Sequence, residues 1–384
     1  MQNSTHFKVL IIGGGLGGLC LAQGLKKAGI DCQVFERDAS PTSRLQGYRL
    51  SMNPAGLESL HTNLPLSLWN QIDHVLNPQT EGISFISQQL EPRFFKKTPD
   101  PVDTVHRFGS ISRVTLRDIL LSDLGSQVEF DKRFTQYELL PDGKVRCFFD
   151  DGTWAEGDLL VGADGTKSPV RRQLLPGSAR TETGVSAIAG QVVLDEQTRQ
   201  DYLPAPIGET AVVLDSMPQG LFLARHELSG HQNGDNYIFW SFLTNRANLL
   251  GNLETLSPPA LIGVVDSMTA GWHERLKRLI NRADPQTVLV LSYKTSEAPP
   301  RWPSGRVTLL GDAIHSMPPT SGEGANTALQ DGAVLCASLV AYRAGELTLT
   351  EAVDRYETSM FGYAFQAVDN AMVNLRRMVV REGR

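Results

Sequence analysis

Cysteine is scarce in this sequence, and its few copies stand far apart. Cys20, Cys32, Cys147 and Cys336 are the four cysteines among 384 residues, and no two of them form a C-x-x-C pair. Such scattering disfavours both a disulfide framework and a cysteine metal centre. We therefore predict no metal site and a reducing environment for the chain.

Long apolar runs and an excess of basic residues are also absent. No apolar stretch reaches the roughly 20 residues that span a bilayer, and no leader pattern precedes the first apolar segment. The formal net charge of -6 disfavours nucleic acid as a main partner, because a phosphate backbone attracts a basic surface. We expect a cytoplasmic monomer or homodimer that binds small molecules, with no membrane span and no nucleic-acid partner.

The sequence contains instead two kinds of apolar pattern on a globular composition of 41% apolar and 20% charged residues. Residues 7–12 predict a buried strand, residues 16–28 a helix and residues 32–35 a second strand, which together form a βαβ unit. Residues 183–242 consist of short alternating runs between Gly, Pro, Asn and Asp. This texture predicts an antiparallel sheet and a second domain.

The remaining segments complete the first domain. Residues 111–124, 258–280 and 349–380 have helical patterns, the last as one long helix or two. Residues 307–310 predict a strand, which is followed by a Gly/Pro-rich loop and a helix from about Ala325. We therefore expect a nucleotide-binding domain that is interrupted by the sheet domain and completed by the C-terminal third.

A glycine-rich turn joins the first predicted strand to the first helix. Gly13, Gly15 and Gly18 form the pattern G-x-G-x-x-G, which combines a tight turn, a close approach of the backbone to a pyrophosphate, and close packing of the helix. Glu36 follows the second strand at the spacing expected for an acid that binds a ribose hydroxyl. These features predict a dinucleotide site, but they do not distinguish FAD from NAD.

Two further motifs decide between the two dinucleotides. Residues 158–171 read DLLVGADGTKSPVR, and residues 311–326 read GDAIHSMPPTSGEGAN. The strand at 307–310 would deliver Asp312 to the carboxyl edge of the sheet, where ligands of such folds bind. There a carboxylate could accept a hydrogen bond from a ribityl chain, and the helix after Asn326 would point its positive end at a flavin.

With these three motifs the chain resembles the single-component FAD-dependent aromatic monooxygenases, the class A flavoprotein hydroxylases. The resemblance implies an α/β fold: a Rossmann-like FAD-binding domain of the flavin hydroxylase type, an inserted, mainly antiparallel β-sheet substrate domain and a C-terminal helix. The implied boundaries place the FAD-binding domain at 1–75, 101–180 and 286–384. The substrate domain then takes 76–100 and 181–285.

The resemblance also implies which residues bind the cofactor. We predict FAD contacts from Gly13, Gly15, Leu16, Gly18, Glu36, Arg37, Arg44, Arg113, Asp164, Asp312, Pro319, Gly322, Gly324, Ala325 and Asn326. A solvated surface charge is the alternative for Arg44 and Arg113, and we expect Arg117 at the surface. We interpret His315 as a structural histidine rather than a general base, and we assign no catalytic residue.

The implied reaction uses NAD(P)H and O2 to hydroxylate an aromatic or polycyclic small molecule through a flavin C4a-hydroperoxide. The cofactor then performs the difficult chemistry, so little acid–base machinery is needed. Residues 270–275 and 351–360 resemble the tetracycline-inactivating branch, which suggests modification of an antibiotic or natural product. Three alternatives remain open: a flavin-dependent reductase, an epoxidase or Baeyer–Villiger oxygenase, and a non-catalytic flavin-binding protein.

The antiparallel sheet should form one wall of the substrate pocket. We predict substrate contacts from Gln191, Arg225, Phe239 and Pro318. Gln191 and Arg225 interrupt apolar runs, where they could bind carbonyl or phenolate oxygens. Because side chains alternate along a strand, the same two residues could instead point to solvent.

Overall fold

The strands and helices follow from the computed structural model, which describes residues 7–43, 49–78, 81–202, 207–227, 236–249 and 251–379. The strands are β1 Lys8–Ile12, β2 Asp31–Phe35, β3 Arg49–Met52, β4 Asn77–Pro78, β5 Gly82–Ser87, β6 Pro92–Lys97, β7 Gly109–Ser112, β8 Val128–Glu129, β9 Phe134–Leu139, β10 Val145–Phe149, β11 Trp154–Gly157, β12 Leu159–Gly162, β13 Arg180–Val193, β14 Thr210–Leu214, β15 Gln219–His226, β16 Tyr237–Asn245, β17 Leu289–Ser296 and β18 Val307–Leu309. The helices are α1 Leu16–Lys27, α2 Pro54–Asn63, α3 Leu66–Val75, α4 Arg113–Leu121, α5 Pro169–Leu174, α6 Glu196–Tyr202, α7 Pro258–Met268, α8 Glu274–Asn281, α9 Asp312–His315, α10 Gly324–Arg343 and α11 Leu349–Val379.

A five-stranded parallel sheet forms the centre of the first domain, in the order β18-β12-β1-β2-β8. Its strands are continuous apolar runs, and the side chains of Val9, Leu10, Ile11 and Leu160 are fully buried. Strands of this kind are expected where both faces of a parallel sheet are covered. The predicted α/β class with a Rossmann-like domain is thus confirmed.

Helices α1 and α10 approach each other closely beside this sheet. A Cβ atom on Gly17 would lie 2.7 Å from the carbonyl oxygen of Ala328 and 2.9 Å from Cδ1 of Leu310. A Cβ atom on Gly332 would lie 3.0 Å from the carbonyl oxygen of Gly17. The backbones of the two helices are therefore in contact because neither carries a side chain at the crossing.

The second large element is a seven-stranded sheet in the order β17-β13-β16-β15-β14-β5-β6. Its pairs are antiparallel except for β14 with β5. One face is covered by α7 and α8, whose Leu261 and Leu276 join Leu223 and Trp240 in a buried cluster. The other face turns toward the first domain, since Ala187 and Leu243 pack with Leu375 of α11.

Two sequence expectations differ from the structure. Ile111 lies in β7 opposite Leu50 rather than in a helix, because the side chain of Ser112 caps α4 by accepting from the backbone N–H of Thr115 at 3.4 Å. The seven-stranded sheet continues to Ser296, past the expected boundary at 285, because β17 pairs with β13. The C-terminal segment is one helix over its described length, and no helix among the described residues is apolar enough to cross a membrane.

We expect Gly17→Ala to destabilise the protein by about 1–3 kcal/mol, the usual cost of an extra methyl group in a packed contact. The new Cβ would meet the backbone of α10, which cannot move aside as a flexible side chain could. Urea unfolding followed by far-UV circular dichroism measures this change.

The matched control is Gly362→Ala in α11, where nothing lies within 4 Å of the added Cβ. That variant should match the wild type or gain about 0.5–1 kcal/mol from the higher helix propensity of alanine. Equal stability of the two variants would contradict the close crossing of α1 and α10.

Candidate functional site

The glycine-rich turn is held in a conformation that only glycine allows. Gly13 has φ +113°, and a Cβ atom there would lie 2.3 Å from the carbonyl oxygen of Ala163 on the neighbouring strand. A Cβ atom on Gly18 would lie 2.3 Å from the carbonyl oxygen of Gly13. At both positions a side chain would clash with a backbone carbonyl group, so the turn requires glycine there.

Gly15 has a different environment, because no atom lies within 4 Å of its Cβ position. It is the N-cap of α1, no side chain caps the helix, and the first turn holds no acidic residue. The free N–H groups and the positive end of the helix, which starts at Leu16, therefore face open space. Such a helix end binds phosphate groups readily.

Glu36 follows β2 and lies against this turn. One carboxylate oxygen accepts from the N–H of Gly14 at 2.7 Å, and the other accepts from the N–H of Asp38 at 2.9 Å. Each oxygen retains a lone pair, so the carboxylate can still accept from ribose hydroxyls. The next residue, Arg37, is exposed.

Arg117 is bound to the glycine-rich turn and is not the free surface charge that the sequence suggested. Its Nε donates to the carbonyl oxygen of Gly14 at 3.1 Å, and its Nη1 donates to that of Pro41 at 2.7 Å. Helix α4 packs against α1, which brings the half-buried guanidinium of Arg117 to these two carbonyl acceptors. Arg117 thereby ties the turn to the segment after Glu36.

Asp312 and Arg113 face each other across the carboxyl edge of the parallel sheet. Asp312 begins α9 directly after β18, with Gly311 at φ +62°, and its carboxylate is exposed to the cleft. Arg113 begins α4. The surrounding protein atoms displace water from the Arg113 guanidinium and lower its pKa. The carboxylate of Asp312 partly offsets this effect. The pair can accept from and donate to one polar ligand.

A fully buried carboxylate, that of Asp331 in α10, positions the loop that carries Asp312. It accepts from the N–H of Gly311 at 2.7 Å, from Nε2 of His315 at 2.6 Å and from the hydroxyl of Tyr363 in α11 at 2.6 Å. Burial alone would lower the pKa of His315, but the charge of Asp331 outweighs it and raises that pKa. His315 therefore lies inside the protein as part of this network, and the sequence analysis missed Asp331 and Tyr363.

The second motif reaches the same loop through an arginine. Nη1 of Arg171 donates to the carbonyl oxygen of Ala313 at 2.7 Å. Asp164 accepts from the N–H of Val170 at 3.2 Å, while its other oxygen is buried without a partner among the described residues. Burial raises the pKa of Asp164. A polar ligand at this end of the cleft would satisfy the remaining oxygen.

Asn326 is used to shape the turn before α10. Its Nδ2 donates to the carbonyl oxygens of Ser51 at 2.8 Å and Gly322 at 3.0 Å, and its Oδ1 accepts from the N–H of Asn53 at 3.0 Å. Gly322 has φ +68°, which favours glycine. Asn326 thus supports the loop with its side chain, which leaves its amide occupied within the protein.

The residues after this turn open α10 toward the cleft. Gly324 and Ala325 form its first turn, with no acidic residue and no side-chain cap. Pro318 is buried and Pro319 exposed at the start of the turn. The N-cap residue of this 20-residue helix is Glu323, and the positive end of the helix dipole lies at this turn.

The predicted substrate residues of the sheet lie on two different faces. Gln191 and Phe239 share one face, and Arg225 lies on the face that α7 and α8 cover. Gln191 lies directly opposite Phe239, which lies opposite Ala224. Tyr237 shares this face by alternation, and its hydroxyl accepts from the N–H of Arg49 in the first domain at 3.1 Å. Gln191 and Phe239 therefore face the nucleotide-binding domain.

Arg225 lies on the opposite face of the sheet, so the structure does not bring it together with Gln191. It pairs across the sheet with Ile238 on the side covered by α7 and α8. Its guanidinium contacts the carboxylates of Glu209 at 3.6 Å and Glu227 at 3.8 Å. Strand alternation separates Arg225 from Gln191 because the register places 224, not 225, in line with 191. Arg44 lies outside the described residues.

The site has the features that FAD requires. An open helix end lies beside the carboxylate of Glu36, and a second carboxylate, that of Asp312, stands at the carboxyl edge of the sheet. Among the described residues no group of His, Cys, Asp and Glu could hold a metal ion. Fold and site together define a flavoprotein of the Rossmann-like class.

The chain belongs to the FAD-binding domain family, which it matches over residues 6–221 and 267–371. It is 31% identical over 336 residues to the FAD-dependent urate hydroxylase of Klebsiella oxytoca, covering 85% of this chain and 80% of that protein. It is 30% identical over 364 residues to the aurachin C monooxygenase/isomerase of Stigmatella aurantiaca, covering 92% and 85%. Its relatives are thus FAD-dependent monooxygenases, which are oxidoreductases.

Solved structures agree with this assignment. A protein of Photorhabdus luminescens subsp. laumondii, provisionally assigned as an FAD-containing monooxygenase, superimposes with a TM-score of 0.89 at 31% identity, covering 98% of this chain and 100% of that one. HpxO of Klebsiella pneumoniae, solved with FAD and uric acid, has a TM-score of 0.82 at 26% identity, covering 98% and 90%.

Some curated relatives are much longer than this chain. The dual O-methyltransferase/FAD-dependent monooxygenase elcB of Phaeosphaeria nodorum is 30% identical over 382 residues, which cover 85% of this chain but only 39% of that protein. The chain likewise spans 46% of two Cercospora relatives. The chain therefore spans less than half the length of these relatives.

We expect Asp312→Ala to lower the FAD content of the purified protein while the fold is retained. The carboxylate is exposed in the cleft and makes no contact that the core depends on, so its loss removes an acceptor for the cofactor. Flavin absorbance per protein and the far-UV spectrum measure the two quantities.

Asp369→Ala, an exposed acid on α11, is the matched control and should keep full FAD content. If Asp312→Ala also kept full FAD content, the third motif would not bind the cofactor.

Proposed function

We propose that this chain is an FAD-dependent monooxygenase that uses NAD(P)H and O2 to hydroxylate an aromatic or polycyclic small molecule. The observation that carries the proposal is the juxtaposition of the cofactor edge, with Asp312 and Gly322, and the sheet face with Gln191 and Phe239. A planar substrate between the two would lie next to the flavin ring. The hydroxylase and monooxygenase names of the relatives support the same reaction type.

FAD, when bound, would supply the hydride acceptor and the oxygen chemistry of such a reaction. The glycine-rich turn and Glu36 would bind its dinucleotide part. The open end of α10 would stabilise negative charge on the ring system. The buried sheet face would exclude water from the reacting atoms, which limits side reactions.

The names of two relatives favour a polar aromatic substrate. One relative is a urate hydroxylase, and a structurally similar protein was solved with uric acid. On the sheet face of this chain an amide, that of Gln191, lies beside an aromatic ring, that of Phe239. An amide beside an apolar ring suits a flat molecule with carbonyl or phenolic oxygens.

The proposed function is tested with the purified yellow protein and a panel of phenols, purines and quinolones. NADH or NADPH oxidation, oxygen uptake and the mass of the product are measured together. A substrate that stimulates all three, with a gain of one oxygen atom in the product, supports the proposal. Consumption of reductant without oxygen in the product indicates a reductase, and the absence of any turnover indicates a flavin-binding protein.

We expect Gln191→Ala to raise the KM for a turned-over substrate by the loss of one hydrogen bond, on the order of 1–3 kcal/mol. FAD content and the substrate-free oxidation of NAD(P)H should not change, because Gln191 lies on the sheet wall and not on the cofactor edge. Steady-state kinetics with the same substrate measures the change.

Gln71→Ala is the matched control, since Gln71 is exposed on α3. A KM for Gln191→Ala equal to that of this control would remove Gln191 from the substrate site.

A further inference from the structure

A row of apolar side chains crosses the cleft face of the seven-stranded sheet. Phe222 in β15 lies two residues before Ala224, which pairs with Phe239 of β16, so these three side chains share one face. The ring centroids of Phe222 and Phe239 are 6.3 Å apart. The row therefore begins at the aromatic ring that stands beside Gln191 in the proposed substrate wall.

The row continues strand by strand to the edge of the sheet. Phe222 pairs with Val212 of β14, and Val212 pairs with Phe85 of β5. Phe85 in turn pairs with Phe94 of β6, with ring centroids 5.6 Å apart. Residues that pair directly across neighbouring strands point to the same face, so Phe239, Phe222, Val212, Phe85 and Phe94 form one apolar row. Four strand spacings, about 19 Å, separate its two ends.

The far end of the apolar row is open to solvent. β6 is the edge strand of the sheet, and all six of its residues are exposed. Phe94 is 62% exposed, whereas Phe85 and Phe222 are partly exposed and Val212 between them is buried. Single exposed apolar side chains are ordinary on protein surfaces, but a contiguous apolar surface that adjoins a ligand site is typical of a binding groove.

The borders of the apolar row are apolar as well. Ile83 and Leu214 lie two residues from Phe85 and Val212 on the same face, and both are partly exposed. Met372 and Met378 of α11 pack with the cluster that includes Phe222. Methionine side chains adapt to irregular apolar shapes. The row is therefore suited to a hydrocarbon chain.

We propose that the apolar row binds an extended hydrocarbon substituent of the substrate, whose aromatic group lies at Phe239 and Gln191. This inference rests on the proposed function for the presence of the aromatic group. Complete burial of one methylene group is worth about three- to fourfold in affinity, so a chain of several carbons decides between substrates. The protein would accordingly prefer aromatic molecules with a long hydrocarbon chain to their short-chain counterparts.

The alternative occupant of the open edge is β6 of a second copy of this chain. In an antiparallel pair centred on Phe94 and Phe95, Arg93 would face Lys96 of the copy, and like charges directly opposite each other are destabilising. Charged side chains on an exposed edge strand commonly prevent such pairing. A second copy on this edge would also leave the inner part of the row, at Phe222, unoccupied.

The test uses FAD-loaded protein and the methyl, butyl, octyl and dodecyl esters of 4-hydroxybenzoate, each below its solubility limit. Binding is followed by calorimetry and by the change in the visible flavin spectrum, without NAD(P)H. The variants are Phe85→Ser and Phe94→Ser. The matched control is Phe95→Ser, because Phe95 is the next residue of the same strand, is 53% exposed and pairs with Ser84 on the opposite face.

We expect the affinity of the wild type and of Phe95→Ser to rise about tenfold or more from the methyl to the octyl ester, and further to the dodecyl ester. Phe85→Ser should weaken binding of the two longest esters about fivefold and leave the two shortest within about twofold. Phe94→Ser should weaken only the dodecyl ester, because Phe94 lies one strand further from Phe239. FAD content should be the same in all four proteins.

Three results would overturn the proposal. They are a wild type whose affinity does not rise with chain length or that binds no ester, equal effects of Phe94→Ser and Phe95→Ser, and a wild-type dimer in size-exclusion chromatography that Phe94→Ser converts to a monomer. Phe94 is exposed, so its variant decides the matter even where Phe85→Ser does not fold.

Failure of the proposed function would look different. Chain-length-dependent binding that Phe94→Ser weakens, without NAD(P)H oxidation or a gain of oxygen in any ester, would reject the monooxygenase and keep the hydrocarbon site. Turnover of aromatic molecules with no dependence on chain length would reject the hydrocarbon site and keep the monooxygenase.

Discussion

The site depends on one buried carboxylate. Asp331 is inaccessible to water, and it binds the N–H of Gly311, the ring of His315 and the hydroxyl of Tyr363. A buried charge is tolerated only when such donors surround it, so these groups are held in one arrangement. The loop that carries Asp312 is thereby joined to α10 and α11, and the cofactor edge has a single geometry.

Small side chains let two helices of the first domain touch, and direct contacts join that domain to the sheet domain. Gly17 and Gly332 let α1 and α10 touch, which brings the open end of α1 and that of α10 to the same cleft. Across that cleft the face of the antiparallel sheet is tied to β3 by Tyr237 and to α11 by the cluster around Leu375. This face of the sheet is therefore held against the first domain by direct contacts.

Much of the fold could be predicted because its signals are local. The G-x-G-x-x-G turn, the apolar strands and the three ordered motifs lie within short stretches of sequence, and the structure has the corresponding strand–turn–helix units in place. The errors arose where a contact is not local. Arg117 lies one turn after Arg113 on a helix with a polar face, and no local pattern shows that Gly14 and Pro41 offer it carbonyl acceptors.

The sequence by itself determined the class of fold and the glycine-rich turn, since each depends on backbone freedom or on period. Only the tertiary structure decided which side chains share the cleft. Gln191 and Arg225 look alike along the chain, but the register of β13, β16 and β15 places them on opposite faces. Asp331 carries no motif, and its role follows from burial, which depends on every element packed around it.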